Sequence, residues 1–180
     1  MLRKLLRLAL VLVILFTGAI AFSNLDPLSR AEAQPQLNLT VSAQETEEFR
    51  QLLVDYYAAW STPTDKPWTI ARVEKFYQQN GRVFGFDISP PAKGFQGWED
   101  YKRELTTIMS NYSKLTVTLG DRFLVYRNGN VVWVVSTFDS LGTLKNGSSI
   151  SGSGRNTLIW ERVGDQWLIA HEHVSTPIVP

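Results

Sequence analysis

From Lys114 to Ser175 the chain carries five runs rich in β-branched and aromatic residues: KLTVTL, RFLVY, NVVWVVSTF, SISGSGRNTLIWERV and QWLIAHEHVS. Such runs form strands, and little more than turn residues separates them. Asn128-Gly129 and Asn146-Gly147 are strong hairpin signals, and Gly164-Asp165 is a further turn. Strands joined this way pair antiparallel and leave one sheet face in need of cover. The cover has to come from the residues before them.

Those residues read as three helices. Phe49, Leu52, Leu53, Tyr56, Tyr57 and Trp60 recur at i, i+3, i+4, i+7, i+8 and i+11, which predicts a helix over residues 45–61 with one wide apolar stripe. Ser42 and Glu45 are spaced for its capping box. TPTDKP breaks the chain, and Pro67 suits the first turn of a second helix through WTIARVEKFY, with Ile70, Val73 and Tyr77 on one side. Asn80-Gly81 ends it, RVFGF reads as a short strand, and DISPPAKGFQG reads as a loop. The third helix, WEDYKRELTTIM, aligns Trp98, Tyr101, Leu105 and Ile108, and its Glu99 and Asp100 suit the positive end of the helix dipole. The expected fold is α+β, with three N-terminal helices packed on a curved, mostly antiparallel sheet around an internal pocket.

Export is expected from the first residues. Arg3, Lys4 and Arg7 precede an apolar run from Leu8 to Phe22, too short for a comfortable membrane span and suited to a signal peptide over residues 1–22. Ala19-Ile20-Ala21 is one small-x-small cleavage signal, and Ala31-Glu32-Ala33 is a later one. An uncleaved segment would instead anchor the chain, the one route to membrane contact. Either way the domain is expected to be translocated, to a periplasmic or secreted location. Residues 23–44 lack periodicity and read as a linker, leaving 45–180 as the domain. Removing residues 1–21 leaves 15 basic against 17 acidic groups, a net of −2, so the formal +1 of the whole chain is a targeting feature. No basic block marks a nucleic-acid footprint. With no Cys, thiolate nucleophiles, disulfides and Cys-ligated zinc are excluded. Asn38, Asn111 and Asn146 begin Asn-x-Ser/Thr triplets, which matter only in a host that glycosylates.

Helix order, FYQQNGRVFGFD, Gly97 before the third helix, and the terminal TLIWERVGDQWLIAHEHVSTP together resemble a nuclear transport factor 2-like domain of the SnoaL-like group, over roughly residues 45–178. The terminal stretch is also similar to the association domain of calcium/calmodulin-dependent kinases. The resemblance implies a cone-shaped fold with a pocket between helices and sheet, and a homodimer. The superfamily spans isomerases, polyketide cyclases, dehydratases, binding domains and oligomerisation modules, so fold does not choose among them.

Three chemical readings follow for the candidate residues. His171 and His173 are the only histidines, and at i and i+2 on a strand they share a face. A catalytic metal would need a third ligand, and only Asp139 or Asp87 is at hand; no metal or cofactor is expected. Alternation puts Trp167, Ile169, His171 and His173 on one face and Leu168, Ala170, Glu172 and Val174 on the other, unless a bulge intervenes. In one orientation the histidines are pocket ligands. In the other Glu172 is a lone inward carboxylate, whose desolvation would suit it to acid–base work, or a structural acceptor for a Tyr or Trp tip. The resemblance to kinase association domains favours the second orientation. There the residue after the second histidine contributes to the pocket, and Val174 in place of its basic residue argues against acidic ligands bound in that mode.

Resemblance to ketosteroid isomerases implies Asp87, in GFDISPP, as a proton-moving carboxylate, with Tyr56 or Tyr57 as oxyanion donor. The usual Asp-Pro is here Asp-Ile-Ser-Pro. Asp87 equally suits a turn cap. Arg155 either anchors an anionic substrate group or sits on the outer face; the second is favoured, because Leu158 and Trp160 read as the buried set. The expected function is binding of a small, largely apolar molecule, with Tyr56, Trp60, Trp133, Leu158, Trp160, His171 and His173 as candidate ligand contacts. The alternatives are isomerase or cyclase-type proton transfer by Asp87 or Glu172 with Tyr57, and an oligomerisation module.

Overall fold

The computed structural model describes residues 41–88 and 91–177. The expected signal peptide, both cleavage sites, nearly all of the linker and Asn38 lie outside the described residues. Among those described, no helix is long and apolar enough to cross a membrane.

The first helix, α1 (Ala43–Trp60), begins at Ser42 with the reciprocal bonds of the capping box: Glu45 N–H donates to Ser42 Oγ at 3.1 Å, and Ser42 N–H donates to Glu45 Oε2 at 3.3 Å. Its buried stripe includes Phe49, Leu53, Tyr56 and Tyr57. The second helix is a correction. It shrinks to the single turn α2 (Ala71–Glu74). Its expected continuation is taken by the sheet instead: Ile169 N–H donates to Phe76 O at 2.7 Å, and Gln78 N–H donates to Ile169 O at 3.0 Å. Backbone groups committed to a strand cannot extend a helical ladder. The short strand β1 (Phe84–Phe86) follows, then β2 (Phe95–Gln96) inside the segment expected as loop, then α3 (Trp98–Ser110). Trp98, Tyr101, Leu105 and Met109 are the buried face of α3.

Four long strands complete the chain: β3 (Tyr112–Asn128), β4 (Val131–Leu144), β5 (Ser149–Val163) and β6 (Gln166–Ser175). KLTVTL and RFLVY are one strand with an irregularity between Leu119 and Phe123, not two. The six-stranded sheet is mixed, in the order β2-β1-β6-β5-β4-β3, with β1 parallel to β6 and the other neighbours antiparallel. Gly129, Gly147 and Gly164 occupy the expected turns with positive φ.

Helices and one sheet face share the core. Phe49, Leu53, Tyr56 and Tyr57 join Val132, Val134, Leu158, Trp160 and Ile169 in one buried cluster. The opposite face carries Tyr126, Trp133 and the exposed Leu124 and Val135. Strand β6 changes parity on the way. Trp160 pairs with Ile169 while the adjacent Ile159 pairs with His171, so Ala170 is an extra, bulged residue. Ile169 therefore faces the core, and so does Glu172, three residues later.

Candidate functional site: a cavity ending on a buried carboxylate

Glu172 is 2 % exposed and sits in the core face of β6. Four donors from four elements or connections meet it. Tyr56 of α1 donates to Oε1 at 2.6 Å and Asn156 Nδ2 of β5 donates to the same oxygen at 2.8 Å. Tyr77, after α2, donates to Oε2 at 2.5 Å, and Tyr101 of α3 donates to it at 2.8 Å. Each delivery has a local cause. Tyr77 is brought beside β6 by its parallel bridge to Ile169. Tyr101 reaches across β1 where Gly85, paired with Glu172, has no side chain; a Cβ there would lie 2.6 Å from the Tyr101 ring.

An ionised carboxylate only accepts, with about four lone-pair positions. Here four donors meet it, and all four are neutral groups. Tyr56 and Tyr77 also touch each other at 2.8 Å. Since each phenol has one hydrogen, three O–H groups and one N–H serve five short contacts. Burial pushes the Tyr56, Tyr77 and Tyr101 phenols well above their ordinary value, and the Glu172 charge adds to the rise. Burial also raises Tyr57, against the opposing effect of its bond to Ser136 Oγ at 2.9 Å.

A cavity of about 150 Å³ opens beside this cluster. Helix α1 contributes Tyr56, Tyr57 and Trp60 to its wall; α3 contributes Leu105, Ile108 and Met109; the strands contribute Leu115, Val117, Phe138, Asn156, Glu172 and Val174, among others. Asp87 and Ile88, after β1, also line it, with Tyr112. Ile88 N–H donates to Asp87 Oδ1 at 2.6 Å, and the Asp87 charge helps to raise Tyr101 and Tyr112. Among the described residues, no Lys, Arg or His lines it.

The candidates named from sequence thus separate. Asp87, Glu172, Tyr57, Tyr56 and Trp60 meet around one cavity. Leu158 and Trp160 are fully buried core residues and are not part of its wall. Trp133 alternates with the buried Val132 and Val134, so it stands on the other sheet face, stacked on Tyr126 at 5.5 Å between ring centres. His171 and His173 also face outward. Ring nitrogen Nδ1 of His171 lies 2.9 Å from Phe84 O, its ring stacks on Phe84, and Phe86 packs edge-on to both imidazoles. The pocket-ligand orientation of the histidines is corrected by the bulge at Ala170. Among the described residues no group of three His, Asp or Glu converges in a metal-binding arrangement. Arg155 is exposed, on the face opposite Leu158.

Tyr77, Tyr101, Asn156 and Ser136 were not singled out. Asn156 and Ser136 did carry a signal. Each shares strand parity with apolar core residues, Leu158 and Trp160 for one and Val132 and Val134 for the other, so each is a polar group sent into the core.

A family model described as SnoaL-like domain matches residues 50–179. No curated protein matches significantly. Among solved structures, a nuclear transport factor 2-like protein of unknown function from Pseudomonas putida is 23% identical, with TM-score 0.61 over 78% of this chain and 92% of that one. A nuclear transport factor 2-like superfamily protein from Salmonella enterica is 18% identical, with TM-score 0.59 over 76% and 90%. A hexachlorocyclohexane dehydrochlorinase is 14% identical, with TM-score 0.59 over 76% and 90%. At these identities the likeness is one of fold.

Proposed function

The chain belongs to the SnoaL-like domain family, and on that premise we propose that it is an exported domain binding a small, largely apolar molecule in the cavity beside Glu172. The fold suits either a binding pocket or an isomerase or dehydratase-type enzyme. One observation favours binding. All four acceptor positions of Glu172 are occupied by tyrosines and an asparagine, so it takes a substrate proton only by giving up a bond it already has. It reads as the anchor that holds the inner wall. The remaining walls are mostly aromatic and aliphatic, and about 150 Å³ is the scale of an engineered cavity that holds benzene.

Native mass spectrometry of the protein purified from its own host tests this. A small-molecule adduct lost on denaturation is the expected result; an adduct-free protein that also takes up no small aromatic probe would overturn it. Export is supported by Arg3, Lys4, Arg7 and the apolar run after them. Cell fractionation, with the N-terminus of the mature protein determined, checks it. Pairing with a second copy is supported by Phe86, Leu124 and Val135 on the outer sheet face, and light scattering checks it.

Proton transfer is the second reading, favoured by Asp87, which lines the same cavity as Tyr57. In that case Asp87→Asn abolishes deuterium uptake by a bound ligand in heavy water while the ligand still binds. Uptake unchanged in the variant removes Asp87 from the reaction.

A further inference from the structure

The cavity beside Glu172 shares walls with a second hollow. This is a groove of about 360 Å³ between the segment after α1, the C-terminal end of α3 and the start of β3. Met109 and Tyr112 line both. Trp60 lines the cavity and Trp68 lines the groove, and the two indoles stack at 5.8 Å between ring centres, 14° from parallel. A single layer of side chains that includes these four therefore separates the two hollows.

The layer is not uniformly stiff. Trp68 is tied to the end of α1: its Nε1 donates to Ala59 O at 2.9 Å, and Arg72 donates to the same oxygen at 3.1 Å and to Ala58 O at 3.0 Å. These bonds satisfy carbonyls that the last turn of a helix leaves open. Trp60 is held in turn by its stack on Trp68. Met109 differs. It is buried, and its unbranched side chain has three rotatable bonds and a thioether that needs no strong polar partner. Such a side chain re-packs readily, so Met109 is the part of the layer that can turn aside.

The two hollows also differ in chemistry. Leu105, Ile108, Leu115, Val117 and Phe138 are among the walls of the cavity. Thr62, Thr69, Thr106, Ser110, Ser113 and Lys145 are more than half of the residues that line the groove. A wholly apolar ligand matches the first and not the second, and a wholly polar one the reverse. An apolar body joined to a polar end matches both.

We propose that the ligand is an amphiphile longer than the cavity: a ring-sized apolar end lies beside Glu172, a chain passes Met109, and a polar end rests in the Thr- and Ser-lined groove. This rests on the binding reading and extends it to a second compartment.

Isothermal titration calorimetry with toluene, benzyl alcohol, phenylpropanol and phenylbutanol tests the two separately. Affinity is expected to rise at least tenfold from benzyl alcohol to phenylbutanol, about 1.4 kcal/mol, as the chain becomes long enough to carry its hydroxyl into the groove. A smaller rise, or a fall, with toluene or benzyl alcohol still binding, would overturn the extension and leave the binding reading in place. If none of the probes binds, both fall. Thr106 is exposed on α3 and lines the groove but not the cavity. Thr106→Trp fills the groove; with its fold checked by circular dichroism, it should cost phenylbutanol at least tenfold more affinity than toluene. Equal costs would show that the chain leaves by another route, such as past Ile88, and would overturn the part given to the groove. Thr69→Trp, from the opposite wall of the groove, makes the same test should the first variant not fold. Pentylbenzene, which has a methyl group where phenylbutanol has its hydroxyl, reads the polar end by displacement of phenylbutanol. It is expected to bind no more tightly than phenylbutanol; tighter binding would show that the groove takes an apolar end and would overturn the amphiphile.

Discussion

Two faces of one strand set the chemistry of this protein. On the core side of β6, Glu172 is held by three phenols and an amide and faces a cavity. On the outer side, one residue away in each direction, His171 and His173 rest against Phe84 and Phe86. The residue types would suggest the reverse, since imidazoles are the usual catalytic and metal-binding groups. Environment decides otherwise. The core face supplies donors from α1, α3, β5 and the segment after α2, all aimed at one atom pair. The outer face supplies one backbone carbonyl and some ring contacts. A residue's chemical reputation predicts less than the number of elements converging on it.

Alkaline pH should break the core side most completely. Tyr56, Tyr57, Tyr77 and Tyr101 have raised values in the folded chain, first because of burial. Above the ordinary phenol value of about 10, the unfolded chain loses these protons and the folded chain keeps them. The unfolded state then binds fewer protons, so stability falls as pH rises, by about 1.4 kcal/mol per such group per pH unit. The contribution is fully present below the unfolded value. Tyrosinate absorbance of these four residues is expected to appear together with loss of the circular dichroism signal. Their titration in a chain that remains folded would contradict the closed cluster.

Glu172→Ala comes next. It leaves three buried phenols and an amide without their acceptor, each at about 1–3 kcal/mol, for a loss on the order of 4 kcal/mol or more in urea unfolding. A loss under about 1 kcal/mol would show that water replaces the carboxylate easily. Gly85→Ala tests how Tyr101 gets there. The added methyl meets the ring at 2.6 Å, so the ring moves off the carboxylate or β1 shifts, at about 1–3 kcal/mol. An unchanged midpoint would mean that α3 can carry Tyr101 around it. The outer face should respond least. His171→Ala removes the contact to Phe84 O and should cost about 0.5–1.5 kcal/mol, and His173→Ala should stay within about 0.5 kcal/mol. If His173→Ala proves as costly as Glu172→Ala, the contrast between the faces is wrong.

Much of the frame was legible because it depends on local periodicity. The capping box at Ser42 and Glu45, the stripe of α1, the face of α3 and the three glycine turns all follow from spacing. The second helix was not legible, because WTIARVEKFY has a helical pattern and loses its last turns to hydrogen bonds with Ile169, far along the chain. Two strands were expected where β3 is one, because turn-like residues at Gly120-Asp121 are absorbed as an irregularity between paired strands. For the site, Tyr56, Tyr57, Trp60, Asp87 and Glu172 were in view, while Tyr77 and Tyr101 read as ordinary core rings. Nothing local to a tyrosine in a helix stripe tells whether its hydroxyl ends on a carboxylate.

By itself, then, the sequence determined an α+β chain of helices followed by long antiparallel strands, because helix and strand periods and turn residues act over a few positions. It also narrowed the ionisable candidates to a few residues, because so few occur in the apolar runs. Only the tertiary structure decided which of them belong together. The bulge at Ala170 turns Ile169 and Glu172 to the same face and both histidines away, and a bulge exists only against the register of a partner strand. Donors separated from Glu172 by 16 to 116 positions then meet it. Contacts of that range are set by packing, which no stretch of sequence contains alone.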